Sequence, residues 1–137
     1  MKKYELTEET VTVYGKTLYR IRAVRDFGSV KTGEFGGYIE KEENLSHFGD
    51  AWVYGNAEVF NTRHFFVQGP IGSRDGYVTF YRTKDDTVEV RCGCFSGSLQ
   101  EFVNQVEETH GGSRYEKEYK LAAELAKVCI RLEGESR

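Results

Sequence analysis

The stretches Tyr77-Val-Thr-Phe-Tyr-Arg82 and Thr87-Val-Glu-Val-Arg-Cys92 flank the polar segment Lys84-Asp-Asp86. β-Branched and aromatic residues, which favour strands, dominate both stretches, and a short polar segment is typical of a hairpin connection. The two stretches therefore predict an antiparallel hairpin. His64-Phe-Phe-Val-Gln68 has the same character and predicts another strand just before it.

Two helices are predicted after this hairpin. Ser98-Leu-Gln-Glu101 matches a capping box, and apolar residues then recur at helical spacing until Gly111-Gly112 ends the pattern. Ser113-Arg-Tyr-Glu116 matches a second capping box, and a longer segment with one broad apolar face follows it. A hairpin followed by two helices indicates an α+β unit.

The chain before residue 68 is predicted to be rich in strands. Residues 10–25 alternate around Gly15-Lys16, which predicts a first hairpin. Strict alternation would give its second arm two faces, one with Leu18, Arg20, Arg22 and Val24 and the other with Tyr19, Ile21 and Ala23.

Residues 44–61 repeat every six residues, as Asn-Leu-Ser-His-Phe-Gly, Asp-Ala-Trp-Val-Tyr-Gly and Asn-Ala-Glu-Val-Phe-Asn. A small or aliphatic second position and Gly or Asn at the sixth match the hexapeptide register of a parallel β-helix. Three hexads make one coil, and a single coil cannot bury a core by itself. We therefore expect other parts of the chain or another subunit to cover it, which predicts a homo-oligomer.

The predicted fold class is thus α+β. A hairpin and a short β-helix-like hexapeptide repeat are followed by an antiparallel hairpin and two C-terminal helices. The composition changes near residue 68, which predicts a β-rich half (1–67) and an α+β half (68–137) that fold as one cooperative unit.

Composition narrows the function classes. The 137 residues include 19 Lys and Arg against 22 Asp and Glu, a net charge of −3, whereas proteins that bind duplex nucleic acid normally have a basic excess. No apolar run approaches the roughly 20 residues of a membrane span, and the N-terminus lacks the apolar core of a signal peptide. We expect a cytoplasmic protein with no membrane partner, and three cysteines with three histidines do not suggest a zinc site.

Two glycine-bearing loops are candidate anion sites. Gly69-Pro-Ile-Gly-Ser-Arg-Asp-Gly76 combines backbone N–H groups with Ser73 and Arg74. Arg91-Cys-Gly-Cys-Phe-Ser-Gly-Ser98 leads into a helix N-terminus, where Arg91 and Phe95 are candidate contacts for an anion and a base. Both loops flank the same end of the hairpin, so we expect them to be neighbours. The alternative for the first loop is an ordinary turn. The alternative for the second is a helix capped by Ser98, with Phe95 in the core.

Three further residues are candidate ligand contacts, namely Arg22 in the Arg20–Arg25 cluster, His110 and Tyr119. For Arg22, the alternative is an exposed strand edge that pairs with Glu40–Glu43. For His110, it is a favourable contact with the helix dipole at the C-terminus of the first helix, and for Tyr119 it is an ordinary position on the second helix. The Cys-x-Cys at Cys92 and Cys94 is a weak redox signal. No enzyme activity, catalytic residue, metal or cofactor is predicted.

Residues 1–61 resemble phage proteins with hexapeptide-type repeats. The resemblance rests on Tyr4-Glu-Leu-Thr7, Arg20-Ile-Arg-Ala-Val-Arg-Asp-Phe-Gly28, Gly36-Gly-Tyr-Ile-Glu-Lys-Glu-Glu-Asn-Leu-Ser46 and Asp50-Ala-Trp-Val-Tyr-Gly-Asn-Ala57. The second half resembles a module found appended to such phage proteins, on the residues Gly69-Pro-Ile-Gly-Ser-Arg74, Arg91-Cys-Gly-Cys-Phe-Ser-Gly97 and Glu108-Thr-His-Gly111. Its overall layout, β-hairpins followed by two C-terminal helices, is similar to that of the phage anti-Thoeris sponges. That resemblance implies an oligomer in the host cytoplasm that sequesters an immune signal of the cyclic ADP-ribose type without turnover.

The sequence therefore predicts a binding protein for a small phosphorylated nucleotide. Arg74 with Ser73 would hold phosphate, and Phe95 would stack on the base. Three alternatives stay open: a structural or assembly protein built on a truncated β-helix, a protein-directed inhibitor of a host defence system, and a hexapeptide-type acyltransferase or thiol enzyme.

Overall fold

Two four-stranded sheets and two helices make up the computed structural model, which describes residues 2–28, 30–45, 47, 52–55, 57–93 and 95–133. The first sheet holds, in this order, β1 (Tyr4–Val13), β2 (Lys16–Ala23), β3 (Phe35–Ile39) and β4 (Glu58–Val59). The second sheet holds, also in sequence order, β5 (Phe65–Ile71), β6 (Gly76–Arg82), β7 (Val88–Cys92) and β8 (Phe95–Ser98). Helices α1 (Leu99–His110) and α2 (Arg114–Cys129) follow.

This arrangement confirms the predicted α+β fold with two C-terminal helices. The predicted hairpin is β6 and β7, which pair antiparallel with Thr79 opposite Arg91. The strand predicted at residues 64–68 is β5, which continues to Ile71 and so crosses the predicted division between residues 67 and 68. Neither helix in the described part of the chain is long and apolar enough to cross a membrane.

Strand β8 is a feature that the sequence analysis missed. Residues 91–98 were expected to form a loop, but Phe95–Ser98 pairs antiparallel with β7, with Ser96 opposite Arg91. The loop prediction is wrong because Gly93, at a φ of 59°, lets the chain reverse within a tight turn. Ser98 then ends the strand and begins α1.

The first helix cap is confirmed and the second is corrected. The Ser98 hydroxyl accepts from the Glu101 N–H at 3.1 Å, and the Ser98 N–H donates to the Glu101 carboxylate at 2.8 Å. At α2, the Ser113 hydroxyl instead donates to the His110 carbonyl at 2.7 Å. The Ser113 hydroxyl accepts no hydrogen bond from the start of α2, so it forms no capping box with Glu116. The Glu116 carboxylate accepts from the Gly112 N–H at 2.9 Å.

Strand β2 buries Leu18 and Ile21, which the sequence pattern assigns to opposite faces. Ile21 and Ala23 lie together in the core of the first sheet, as alternation predicts. The pairing of β2 with β3 shifts register between Arg20 and Arg22, where β2 advances two residues and β3 advances three, from Tyr38 to Phe35, so the extra residue of this bulge lies in β3.

The hexapeptide prediction falls partly on residues 46, 48–51 and 56, which lie outside the described residues. In the described part, β4 pairs parallel with β3. The Gly37 N–H donates to the Val53 carbonyl, and the Tyr38 N–H donates to the Ala57 carbonyl, both at 2.9 Å. These residues therefore extend one edge of the first sheet, and a complete β-helix coil stays a prediction.

The second sheet is the middle layer between two cores. Val78 and Phe80 of β6 pack with Phe102 and Val106 of α1 and with three alanines of α2, namely Ala122, Ala123 and Ala126. Tyr81, the next residue of the same strand, packs on the other side with Ile39, Trp52 and Val53. Trp52, fully buried, makes an edge contact with Phe27 at 5.3 Å between ring centroids.

The buried His64 ties the C-terminal segment to the body of the protein. Its Nδ1 accepts from the Phe60 N–H at 3.3 Å, and its Nε2 lies 2.7 Å from the Glu133 carboxylate. The Glu133 N–H donates to Asp86 at 2.8 Å. Burial lowers the pKa of His64 below its ordinary value, against the opposing effect of Glu133.

Substitution Gly37→Ala should destabilise the first sheet. A Cβ atom there would overlap the Tyr54 carbonyl oxygen and lie 2.7 Å from the Ala57 Cβ, so β3 and residues 53–57 would have to separate. We expect the free energy of unfolding in urea to fall by roughly 1–3 kcal/mol. The matched control is Gly55→Ala, since no atom lies within 4 Å of the added methyl group. Equal stability of the two variants would contradict this account of the sheet edge.

The free energy of unfolding should fall as the pH drops through the ordinary histidine pKa. A histidine whose pKa is lowered by folding binds its proton more readily in the unfolded chain, so its stabilisation is complete above about pH 6.5 and is lost below it. Glu133, Arg82 and Asp86 face this ring and modulate the effect. Urea titrations between about pH 7.5 and about pH 5.5 should show a slope of at most about 1.4 kcal/mol per pH unit, reduced in His64→Gln. An identical slope in that variant would refute the assignment.

Candidate functional site

A cavity of about 770 Å³ lies between the two helices and the turns that close the β5–β6 and β7–β8 hairpins. Five of the seven residues predicted as ligand contacts line it: Ser73, Arg74, Phe95, His110 and Tyr119. The expectation that the two glycine-bearing segments are neighbours is confirmed, since both border this cavity.

Aromatic rings form the inner wall of the cavity. Phe102, which is nearly fully buried, lies 5.7 Å from Phe95 and 5.8 Å from Tyr119 between ring centroids. The His110 ring lies 5.5 Å from that of Tyr119. This continuous apolar and aromatic surface can accept a flat ring by stacking or edge contact.

Helix α2 holds the turn that carries Ser73 and Arg74. The Gly72 N–H donates to the Glu118 carboxylate at 2.7 Å. Gly72 adopts a φ of 81°, and its Cβ position would overlap the Tyr119 hydroxyl. Only glycine fits this site, because the backbone is left-handed and the tyrosine occupies the space of a side chain. Ser73 and Arg74 are consequently presented, exposed, at the rim.

The Tyr119 hydroxyl is a neutral donor at the base of the rim. Burial, followed by a hydrogen bond with the Cys92 side chain, raises the pKa of Tyr119 to about 12. The charge of Arg74 acts on this hydroxyl in the opposite direction, so the guanidinium and the phenol are close enough to interact. The one proton of this phenol is donated to the Cys92 side chain, so Arg74 and Ser73 are the groups at the rim that can contact an anion.

The described lining of the cavity carries no carboxylate, and Arg74 supplies its one fixed charge. The nearby Glu118 directs an oxygen to the Gly72 amide. Arg74 is exposed at the rim, where its positive charge attracts an anionic ligand through solvent.

Two predicted contacts lie elsewhere. Arg91 is buried on the opposite side of the second sheet, with its guanidinium 5.5 Å from the Tyr54 ring centroid. The cause is strand alternation, which turns Cys92 toward the helices and its neighbour Arg91 away from them. Arg22 lies exposed on the first sheet and forms an ion pair with Glu5 of β1, not with residues 40–43. Cys94 lies outside the described residues.

The sequence analysis missed several lining residues, chiefly Gly28, Tyr77, Phe102, Gln105 and Thr109. Gln105 and Thr109 are one helical turn apart, and the Gln105 amide donates to the Thr109 hydroxyl at 2.9 Å. At 100° per residue, Gln105 and Thr109 form a polar border along one side of the apolar face of α1, and His110 lies along its other side. The sequence does contain this signal. Gly28 comes from the first half of the chain, and no local pattern assigns it to this site.

Among the described residues, no group of three or more His, Cys, Asp or Glu side chains is placed to hold a metal ion. No protein-family model matches the chain, and no curated protein matches it either.

Substitution Glu118→Ala should free the turn that carries Arg74. A hydrogen bond to a charged acceptor is worth about 1.5–3 kcal/mol, so exchange of the Gly72 amide proton should accelerate roughly tenfold to a hundredfold. Amide hydrogen exchange followed by NMR measures this directly. Glu118→Gln retains an acceptor oxygen and should show a smaller effect, while Glu108→Ala on the exposed face of α1 should show none. Unchanged exchange in Glu118→Ala would show that α2 does not hold the turn.

Proposed function

We propose that the protein binds a small phosphorylated nucleotide in this cavity and holds it without turnover. The observation that carries the proposal is the combination of one cationic rim, at Arg74, with an aromatic wall and a lining free of carboxylates in its described part. The volume of about 770 Å³ falls within the range of about 300–1,000 Å³ typical of small-molecule sites.

The parts of the cavity suit different parts of such a ligand. Arg74 and Ser73 offer charge and a donor for a phosphate. Phe95 and His110 offer ring faces for a base, and stacking of a base on an aromatic side chain is worth about 1–3 kcal/mol. Gln105 and Thr109 supply polar groups for a sugar hydroxyl or a base edge.

The ligand class that we propose is a cyclic nucleotide of the cyclic ADP-ribose type. The resemblance of the second half to phage anti-Thoeris sponges supports this choice, and the corresponding role is an anti-defence protein that removes an immune signal. The residues that line the cavity support capture of a phosphorylated ring compound, while the resemblance supports the cyclic ADP-ribose class.

The proposal is tested by thermal-shift and calorimetric titrations with cyclic ADP-ribose isomers, cyclic dinucleotides and trinucleotides, ADP-ribose and NAD. Ligand at 100 times its Kd should add roughly 2.7 kcal/mol of apparent stability. Recovery of intact ligand after denaturation separates binding from turnover, since a product would indicate an enzyme.

Substitution Arg74→Ala should raise the ligand Kd roughly tenfold or more, because a charge-assisted contact to phosphate is lost. The matched control is Arg22→Ala, which removes an exposed arginine of the first sheet that lies outside the cavity. Equal loss of affinity in both variants, or no binding of any nucleotide by the wild-type protein, would overturn the proposal. The second result would favour the structural or protein-directed alternative.

A further inference from the structure

Helix α2 carries an exposed apolar stripe on the face that points away from the cavity. Leu121 is 69% exposed, Val128 67% and Leu125 45%. With 100° between successive residues, these three side chains fall within about 60° of the helix circumference. The opposite face, with Ala122, Ala123 and Ala126, is buried against the second sheet and α1.

Exposure of these three apolar side chains to water is unfavourable, which indicates that a partner covers them. Isolated exposed apolar residues are common, but three at helical spacing on one face form a contiguous patch of the kind that marks an interaction site. The rest of the helix follows the amphipathic rule, since its buried face is already occupied by the core. A second face of aliphatic side chains is therefore not needed for folding of this chain.

We propose that this stripe is the two-fold interface of a homodimer, in which α2 packs antiparallel against α2 of a second copy. The charges that flank the stripe indicate that its partner is a second copy of this chain. Lys117 and Glu124 are seven residues apart, so they lie on the same flank of the stripe within about 20° of each other. Both side chains are exposed.

An antiparallel arrangement centred on Leu121 pairs these charges correctly. Leu121 then packs against Leu121 of the second copy, and Lys117 of each copy lies level with Glu124 and Leu125 of the other. Symmetry produces the same pair twice, as an isologous interface requires. A parallel two-fold pair would instead place Lys117 of one copy and Glu124 of the other on opposite flanks of the interface, so this cross-pair would not form. Glu124 also contacts Lys127 at 3.1 Å, but its side chain remains 70% exposed and accessible.

The dimer does not rest on the proposed nucleotide binding, because Tyr119 and the cavity lie on the other side of α2. Sedimentation equilibrium of the full chain over a concentration series is the primary measurement. We expect the wild-type protein to reach twice the mass of the chain. Leu121→Glu should raise the dimer Kd roughly a hundredfold or more, because it removes the central apolar contact from both copies and opposes two like charges.

Charge reversal tests the register separately. Lys117→Glu alone should weaken the dimer roughly tenfold, and Lys117→Glu combined with Glu124→Lys should restore it, because the cross-pair is re-formed with its signs exchanged. The matched control is Gln100→Glu, which makes a charge change on the exposed start of α1. Circular dichroism and thermal melting confirm that each variant is folded.

A wild-type protein that remains monomeric at the highest concentration overturns the proposal. A Leu121→Glu variant that dimerises as tightly as the wild-type protein does the same, since the stripe would then not be the interface. A dimer that Leu121→Glu disrupts but that the double charge reversal fails to restore overturns the antiparallel register.

Discussion

Strand β6 buries side chains on both of its faces, and the relation between the two halves of the protein depends on this. Val78 and Phe80 belong to the core under the helices, whereas Tyr81 belongs to the core of the first sheet. Because side chains alternate along a strand, a slip of one residue would exchange both sets at once. The adjacent Arg82, also buried, adds a bond to Asp86 at 2.8 Å and another to the Glu58 carbonyl at 3.0 Å. The second sheet is thereby held in one register against the first.

The cavity is a consequence of that register. In β7 the same alternation turns Cys92 toward the helices, where it meets Tyr119, and directs Arg91 toward the first half, where it meets Tyr54. The turn after β5 projects past the sheet and is held by Glu118 and Tyr119 of α2. Arg74 therefore reaches the rim from one hairpin, Phe95 from another and His110 from the end of α1. The two proposals concern opposite faces of helix α2, since Tyr119 lines the cavity while Leu121 is exposed. Nucleotide binding and self-association are therefore compatible proposals.

Local patterns predicted much of the second half. The strands, the Ser98 capping box and the glycines that end α1 all rest on contacts between residues close in the chain. The pattern failed where a distant partner or a single backbone angle decided the outcome. Ser96 and its neighbours formed a strand because β7 was available to pair with them. The Ser113 hydroxyl turned to the His110 carbonyl and not to Glu116. The register shift between β2 and β3 also depends on residues that are distant in the chain, because a connection of eleven residues, 24–34, separates the two strands.

By itself, the sequence determined the fold class and the two C-terminal helices. It also identified five residues that line one cavity, out of the seven that it predicted as ligand contacts. These follow from hydrophobic periodicity, caps and turn residues, which act over a few positions. Only the tertiary structure decided that Arg91 and Arg22 lie outside the cavity, that Gly28 and Gln105 belong to it, and that Leu121 is exposed. The direction of a side chain depends on the register of its strand and on what covers its helix. Both depend on residues far away in the chain.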